Sequence, residues 1–252
     1  MIKALKITIL LIICVALVGF MIAFISGGFD FKKMKTKLVF DEKYELGELN
    51  KINVDVKSSD IYFYKSEDDK INIKVYAREK EKAKVNINNN ELSVNMKNKS
   101  NVCFGFCFGS KKIEIYVPEN YLGEFNVKAT SGDIKSNLNT FNKYEINVTS
   151  GDIEIDNVSS LTGHATSGDV EIGSINSYIN FKTTSGDIDI DDVSLEKDSF
   201  IKVTSGDISI DKVNNAYVKT DVKSGDVDIK NNDRHAPFEL NIKTTSGDIE
   251  VD

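Results

Sequence analysis

The chain has 252 residues, 40% of them hydrophobic, 28% charged and 9% aromatic, a composition that excludes wholesale disorder. Formal charge is −7, unevenly placed: Met1 to Phe125 carries 20 basic and 16 acidic residues, whereas Asn126 to Asp252 carries 12 and 23, a net −11. On balance so acidic a surface repels phosphate backbones, which disfavours nucleic acid as a partner of that half.

After a short flank (1–6), Ile7 to Ile25 runs for nineteen residues without a charge, behind Lys3 and Lys6. That run is long enough to cross a hydrocarbon layer of roughly 30 Å. A cleaved signal peptide competes, but Ala23-Phe24-Ile25-Ser26-Gly27-Gly28 offers no clear small-x-small site. Residues 7–27 are therefore predicted as one transmembrane helix, with 28–39 as juxtamembrane linker. Lys3 and Lys6 on one side and Lys32, Lys33, Lys35 and Lys37 on the other leave the orientation undecided by charge.

Residues 40–125 read as irregular amino-terminal rungs that cap the array downstream. Val54 to Phe63 has strand alternation on both sides of a corner at Ser59, and Val85 to Val94 repeats the pattern with Asn90 at the corner, since Asn tolerates the left-handed region. Between them Ile71 to Ala77 is a strand. Cys103-Phe104-Gly105-Phe106-Cys107-Phe108 has two readings. Cys103 and Cys107 close a disulfide loop that shows Phe104, Phe106 and Phe108 to a membrane or partner, or the rings fold over the rungs and the thiols are small apolar fillers. Two cysteines without a nearby histidine do not make a zinc site.

From 126 to 252 one motif recurs seven times: Thr-Ser-Gly-Asp-Ile, or a close variant, around Gly132, Gly151, Gly168, Gly186, Gly206, Gly225 and Gly247. The spacings are 19, 17, 18, 20, 19 and 22 residues. Ile or Val stands two residues after every glycine and, except for Ser136, four after. Upstream, Val127, Ile146, Phe181, Ile201 and Ile242 lie five before. This is period-two patterning around a sharp bend. Glycine supplies positive φ at the corner, and Asp133, Asp152, Asp169, Asp187, Asp207, Asp226 and Asp248 can bond to backbone amides there.

A two-strand unit cannot bury its apolar face alone, so successive copies must stack. The predicted fold class is all-β, a parallel β-helix or β-solenoid with rungs of about nineteen residues; a meander of antiparallel hairpins is the second architecture. The aspartates then form one column, which either caps the bends or holds a cation that relieves their repulsion. Outward positions before the corner carry Lys128, Lys182, Lys202 and Lys243, with His164 in the same slot, and those after it carry residues such as Glu154, Glu171, Asp189 and Glu250. One face is expected to be mixed to basic, the other acidic. The chain stops at Asp252, just after a strand, which predicts a bare edge on the carboxyl-terminal rung.

The tandem Ser-Gly-Asp-Ile units, the Ser58-Ser59-Asp60-Ile61 copy, Ile113 to Pro118 leading into the regular rungs, and the amino-terminal anchor resemble the putative-adhesin domain of unknown function of LiaG- and YvlB-type bacterial envelope proteins. The resemblance covers roughly Leu38 to Asp252. It implies a right-handed β-helical domain, membrane association with the repeats outside, and a link to envelope stress or adhesion. It brings no catalytic residue, cofactor or metal ligand. The expected function is a membrane-anchored, non-catalytic surface module that binds an envelope protein or glycan. Self-assembly into a homo-oligomer through the last rung is the second reading and a glycan-processing β-helix enzyme the third, although acid, base and charge-stabilising groups do not converge in the pattern.

Overall fold

A computed structural model describes residues 36–78, 81–96 and 111–252. The predicted anchor at 7–27 and the Cys103 to Phe108 segment lie outside the described residues. Among the described residues no helix is long and apolar enough to cross a membrane.

The cap contributes β1 (Lys37–Glu45), β2 (Lys51–Ser58), β3 (Asp60–Lys65), β4 (Lys70–Ala77), β5 (Lys84–Asn88), β6 (Glu91–Met96) and β7 (Lys112–Val117). The regular region begins with β8 (Glu124–Ser131), β9 (Ile134–Ser136), β10 (Asn142–Ser150), β11 (Ile153–Ser167) and β12 (Val170–Ser185). It continues through β13 (Ile188–Ser194), β14 (Ser199–Ser205), β15 (Ile208–Ile210), β16 (Val213–Asn214) and β17 (Ala216–Val222). β18 (Val227–Ile229), β19 (Phe238–Ser246) and β20 (Ile249–Val251) complete it. The fold is all-β and solenoid-like.

Strands before the corner pair in parallel as a front ladder, and strands after it as a back ladder. The front order is β6, β2, β8, β10, the end of β11, the end of β12, β14, β19 and β17. The back order is β7, β3, β9, the start of β11, the start of β12, β13, β15, β20 and β18. Antiparallel pairing is confined to the amino-terminal end, where β1 and β4 extend the back ladder beyond β7 and β5 extends the front ladder beyond β6. Asn89 and Asn90 both have positive φ, 49° and 62°, as a tight hairpin turn requires. Asn90 is therefore the tip of the β5–β6 hairpin and not a rung corner.

Rungs do not stack in chain order at either end. The first rung (β2, β3) sits inside the second (β6, β7), and the last (β19, β20) sits between the rung of β14 and β15 and that of β17 and β18. The predicted bare carboxyl-terminal edge is thus corrected: Ile249 is paired with Ile208 on one side and Val227 on the other. The outermost carboxyl-terminal strands are β17 and β18. There the Asn232 side chain accepts from the Val218 amide and donates to the Val218 carbonyl, both at 2.9 Å, plugging one position of the edge.

Inward side chains form columns along the stack. Ile153, Val170, Ile188, Ile208 and Ile249 are each no more than 1% exposed, the arrangement in which aliphatic burial contributes roughly 25 cal/mol per Å². An aromatic cluster fills the interior toward the amino-terminal end, with Phe63 and Phe125 centroids 4.6 Å apart and Phe125 and Tyr144 4.9 Å apart. Ser136, which breaks the aliphatic column, has its Oγ 2.7 Å from the buried Tyr144 hydroxyl. The departure from Ile or Val supplies the partner that a buried phenol needs.

Candidate functional site

Each Ser-Gly-Asp corner stacks on the next. Gly132, Gly151, Gly168, Gly186, Gly206, Gly225 and Gly247 all have φ between 118° and 143°. The corner amide of every one of these glycines except Gly225, on the outermost rung, donates to a serine carbonyl one rung on, for example Gly186 to Ser205 at 3.1 Å.

The aspartates run the opposite way. The amide of Asp187 donates to Asp169 Oδ1 at 2.9 Å, that of Asp207 to Asp187 at 2.8 Å, that of Asp248 to Asp207 at 2.7 Å and that of Asp226 to Asp248 at 2.8 Å. Towards the cap the amides of Asp169, Asp152 and Asp133 donate to Asp152, Asp133 and Asp60. Each carboxylate but that of Asp226, on the outermost rung, therefore caps the bend of a neighbouring rung instead of its own, tying the rungs together at the corner. The column is exposed, so water and salt screen its like charges. Among the described residues no three His, Cys, Asp or Glu side chains are arranged to hold a metal ion.

The two outer faces differ in charge. On the front ladder Lys128, Asn147, His164, Lys182, Lys202 and Lys243 stand in one register column, all exposed except half-buried Asn147. Two residues nearer the corner runs a second column, of Thr130, Thr149, Thr166, Thr184, Thr204 and Thr245. None of these twelve positions is acidic. Lys243 pairs with Asp221 at 3.0 Å, whereas among the described residues Lys128, Lys182 and Lys202 have no carboxylate at ion-pair distance.

On the back ladder Glu154, Glu171 and Asp189 are successive neighbours, followed by Ser209, Glu250 and Asp228. Lys135 pairs with Glu154 at the start of this column, and that contact holds its ammonium above the usual lysine value. Desolvation against the sheet and then the carboxylates of Asp187, Glu171, Asp169 and Asp211 push Asp189 up from its ordinary value.

A cluster that pattern reading missed lies on the outer face of the cap. Tyr62 and Tyr64 stack at 5.9 Å, Tyr64 lies 5.5 Å from Tyr116, and Lys112 sits 4.7 Å from the Tyr76 ring centre. Buried Glu114 receives Lys112 at 2.6 Å and the Tyr116 hydroxyl at 3.2 Å. Desolvation raises Glu114, but Lys112 and the Tyr116 and Tyr76 hydroxyls outweigh it and hold the carboxyl below its ordinary range. Desolvation and Glu114 in turn push Tyr116 up to about 12. The signal was alternation of Tyr62 with Tyr64 and of Glu114 with Tyr116; what joins them is pairing of β3, β7 and β4.

The fold is similar to that of several solved proteins, all at low identity. A putative cell adhesion protein from Clostridium sporogenes ATCC 15579 is 14% identical over 86% of this chain and 99% of its own, with a TM-score of 0.42. A putative adhesin from Bacteroides fragilis NCTC 9343 is 17% identical over 85% and 97%, TM-score 0.40. One from Parabacteroides distasonis ATCC 8503 is 13% identical over 85% and 97%, TM-score 0.48. No curated protein matches the chain. Residues 49–252, from just before β2 through the last rung, match the Toastrack DUF4097 family, and the chain belongs to it.

Proposed function

We propose that this chain is a non-catalytic binding module of the cell envelope, anchored by residues 7–27 with the rung stack outside. The observation that carries the reading is the pair of flat outer faces, on which side chains of one kind are sorted into straight columns at rung spacing. Such an array suits an extended partner laid along it. The carboxylates follow the same columns and so face outward in a row, whereas catalysis needs acid and base groups converging on one atom. The uncharged run before the stack supports the anchor.

The test is labelling of an engineered cysteine, Asn231→Cys, in intact cells, in a Cys103→Ser/Cys107→Ser background. Asn231 is exposed on the loop between β18 and β19. Labelling by a membrane-impermeant reagent before lysis is expected. Labelling only after lysis overturns the external assignment, and recovery of the protein in the soluble fraction overturns the anchor.

A further inference from the structure

The front face carries two columns that differ in chemistry and run side by side. One offers cations that have no carboxylate partner among the described residues, Lys182 and Lys202, continued by Lys243; the other offers hydroxyls, Thr184, Thr204 and Thr245. Most other lysines near carboxylates are paired, Lys135, Lys212, Lys219 and Lys230 among them. Lys128, Lys182 and Lys202 thus share one strip of the acidic half, six rungs or roughly 24 Å long at about 4.8 Å per rung, while Lys143, Lys197 and Arg234 stand outside that column. Stacking like charges in one column opposes folding, since neighbours in water repel by about 1 kcal/mol, so charge–charge interaction within the chain does not account for the pattern.

We infer that this strip binds a linear acidic polysaccharide lying along the stack axis, its carboxylates on the lysine column and its hydroxyls on the threonine column. The rung rise is close to the advance of one sugar residue in an extended chain, so a polymer along the axis stays in step with the columns and returns equivalent groups to them every second or third rung as its residues rotate. A bare polyphosphate would use the cations and leave the threonines without a role. A flat anionic membrane would also meet the exposed aspartate corners, which repel it. Individual exposed pairs are weak and screened by salt, and affinity comes from engaging several at once.

This inference deepens the binding reading of the front face and rests on it. External labelling of Asn231→Cys can succeed while the polymer fails to bind, so the two failures are distinguishable. Full-length protein in neutral detergent is tested at low salt on immobilised polygalacturonate, with dextran as the uncharged polymer and inorganic polyphosphate as the charge-only polymer. Wild type is expected to bind polygalacturonate and not dextran. Lys182→Glu/Lys202→Glu is expected to weaken binding about tenfold or more. Thr184→Val/Thr204→Val should weaken it several-fold, and the back-face pair Lys135→Glu/Lys230→Glu, with the same net charge, by less than about twofold. Thermal unfolding checks each variant, with Lys182→Gln/Lys202→Gln replacing the glutamate pair if that does not fold. Absence of binding, equal loss from the two lysine pairs, or polyphosphate bound as tightly with no effect of the threonine pair overturns the inference.

Discussion

At Gly186 two constraints meet. Its φ is +122°, and a Cβ built there would lie 2.1 Å from the Gly168 carbonyl oxygen. Both conformation and rung contact exclude a side chain, so Gly186→Ala is expected to destabilise by about 2–4 kcal/mol. Gly47, with φ +49° and nothing within 4 Å of the added carbon, should lose only about 1 kcal/mol on the same change. Urea midpoints of the two variants measure the contrast. The aspartate column allows a second comparison. Asp187 accepts the Asp207 amide at 2.8 Å, so Asp187→Ala removes an inter-rung bond and should cost about 1–2 kcal/mol. Asp226 lies on the outermost rung, beyond which no corner amide follows, and Asp226→Ala should be close to neutral. Glycine and aspartate were legible at every corner because the motif is local. Which rung each carboxylate serves was not, because the acceptor's partner lies 17 to 41 residues away.

Among the elements, strands were readable wherever period-two alternation was long, and β5–β6 shows where reading stops. An asparagine at a bend serves a rung corner or a hairpin tip equally, and only the antiparallel register Val85 to Val94 separates them. The β3–β7–β4 face yields a pH prediction. Glu114 is held below its ordinary value of 4.5 in the folded chain. A depressed carboxyl contributes stability that is complete above its unfolded value and is lost as the pH falls through the folded one. Glu114→Gln should therefore destabilise the cap by about 1–3 kcal/mol at neutral pH. That difference should shrink as the pH drops below 4.5. Thermal unfolding of both proteins across that range checks it, and a gap that stays constant would mean the carboxylate's charge is not what matters.

The whole molecule is locked at both ends by exchanged rungs. Because β19 lies between β14 and β17, removing residues 238–252 takes out an interior rung and leaves β17 and β18 without a ladder. Hydrogen exchange of such a truncated chain is expected to lose protection over 216–229 as well, two rungs for one deleted. Retained protection there would show that β17 can dock directly on β14. The true outer edge is guarded by the alternating charges Lys219, Asp221 and Lys223 and by the Asn232 plug, devices that discourage edge-to-edge pairing. A filament grown from the last residues is therefore not what this topology favours.

The amino-acid sequence by itself determined the strand-corner-strand unit, its repeat near nineteen residues, the aliphatic interior and the sorting of charge onto two faces, because each follows from local alternation and from glycine's freedom at positive φ. The tertiary structure alone decided the order of the rungs. Val54 meets Val94 on one side and Val127 on the other, and backbone amides and carbonyls carry no sequence. Near-identical rungs are interchangeable neighbours, so only the paths of the connecting segments through space select which pair.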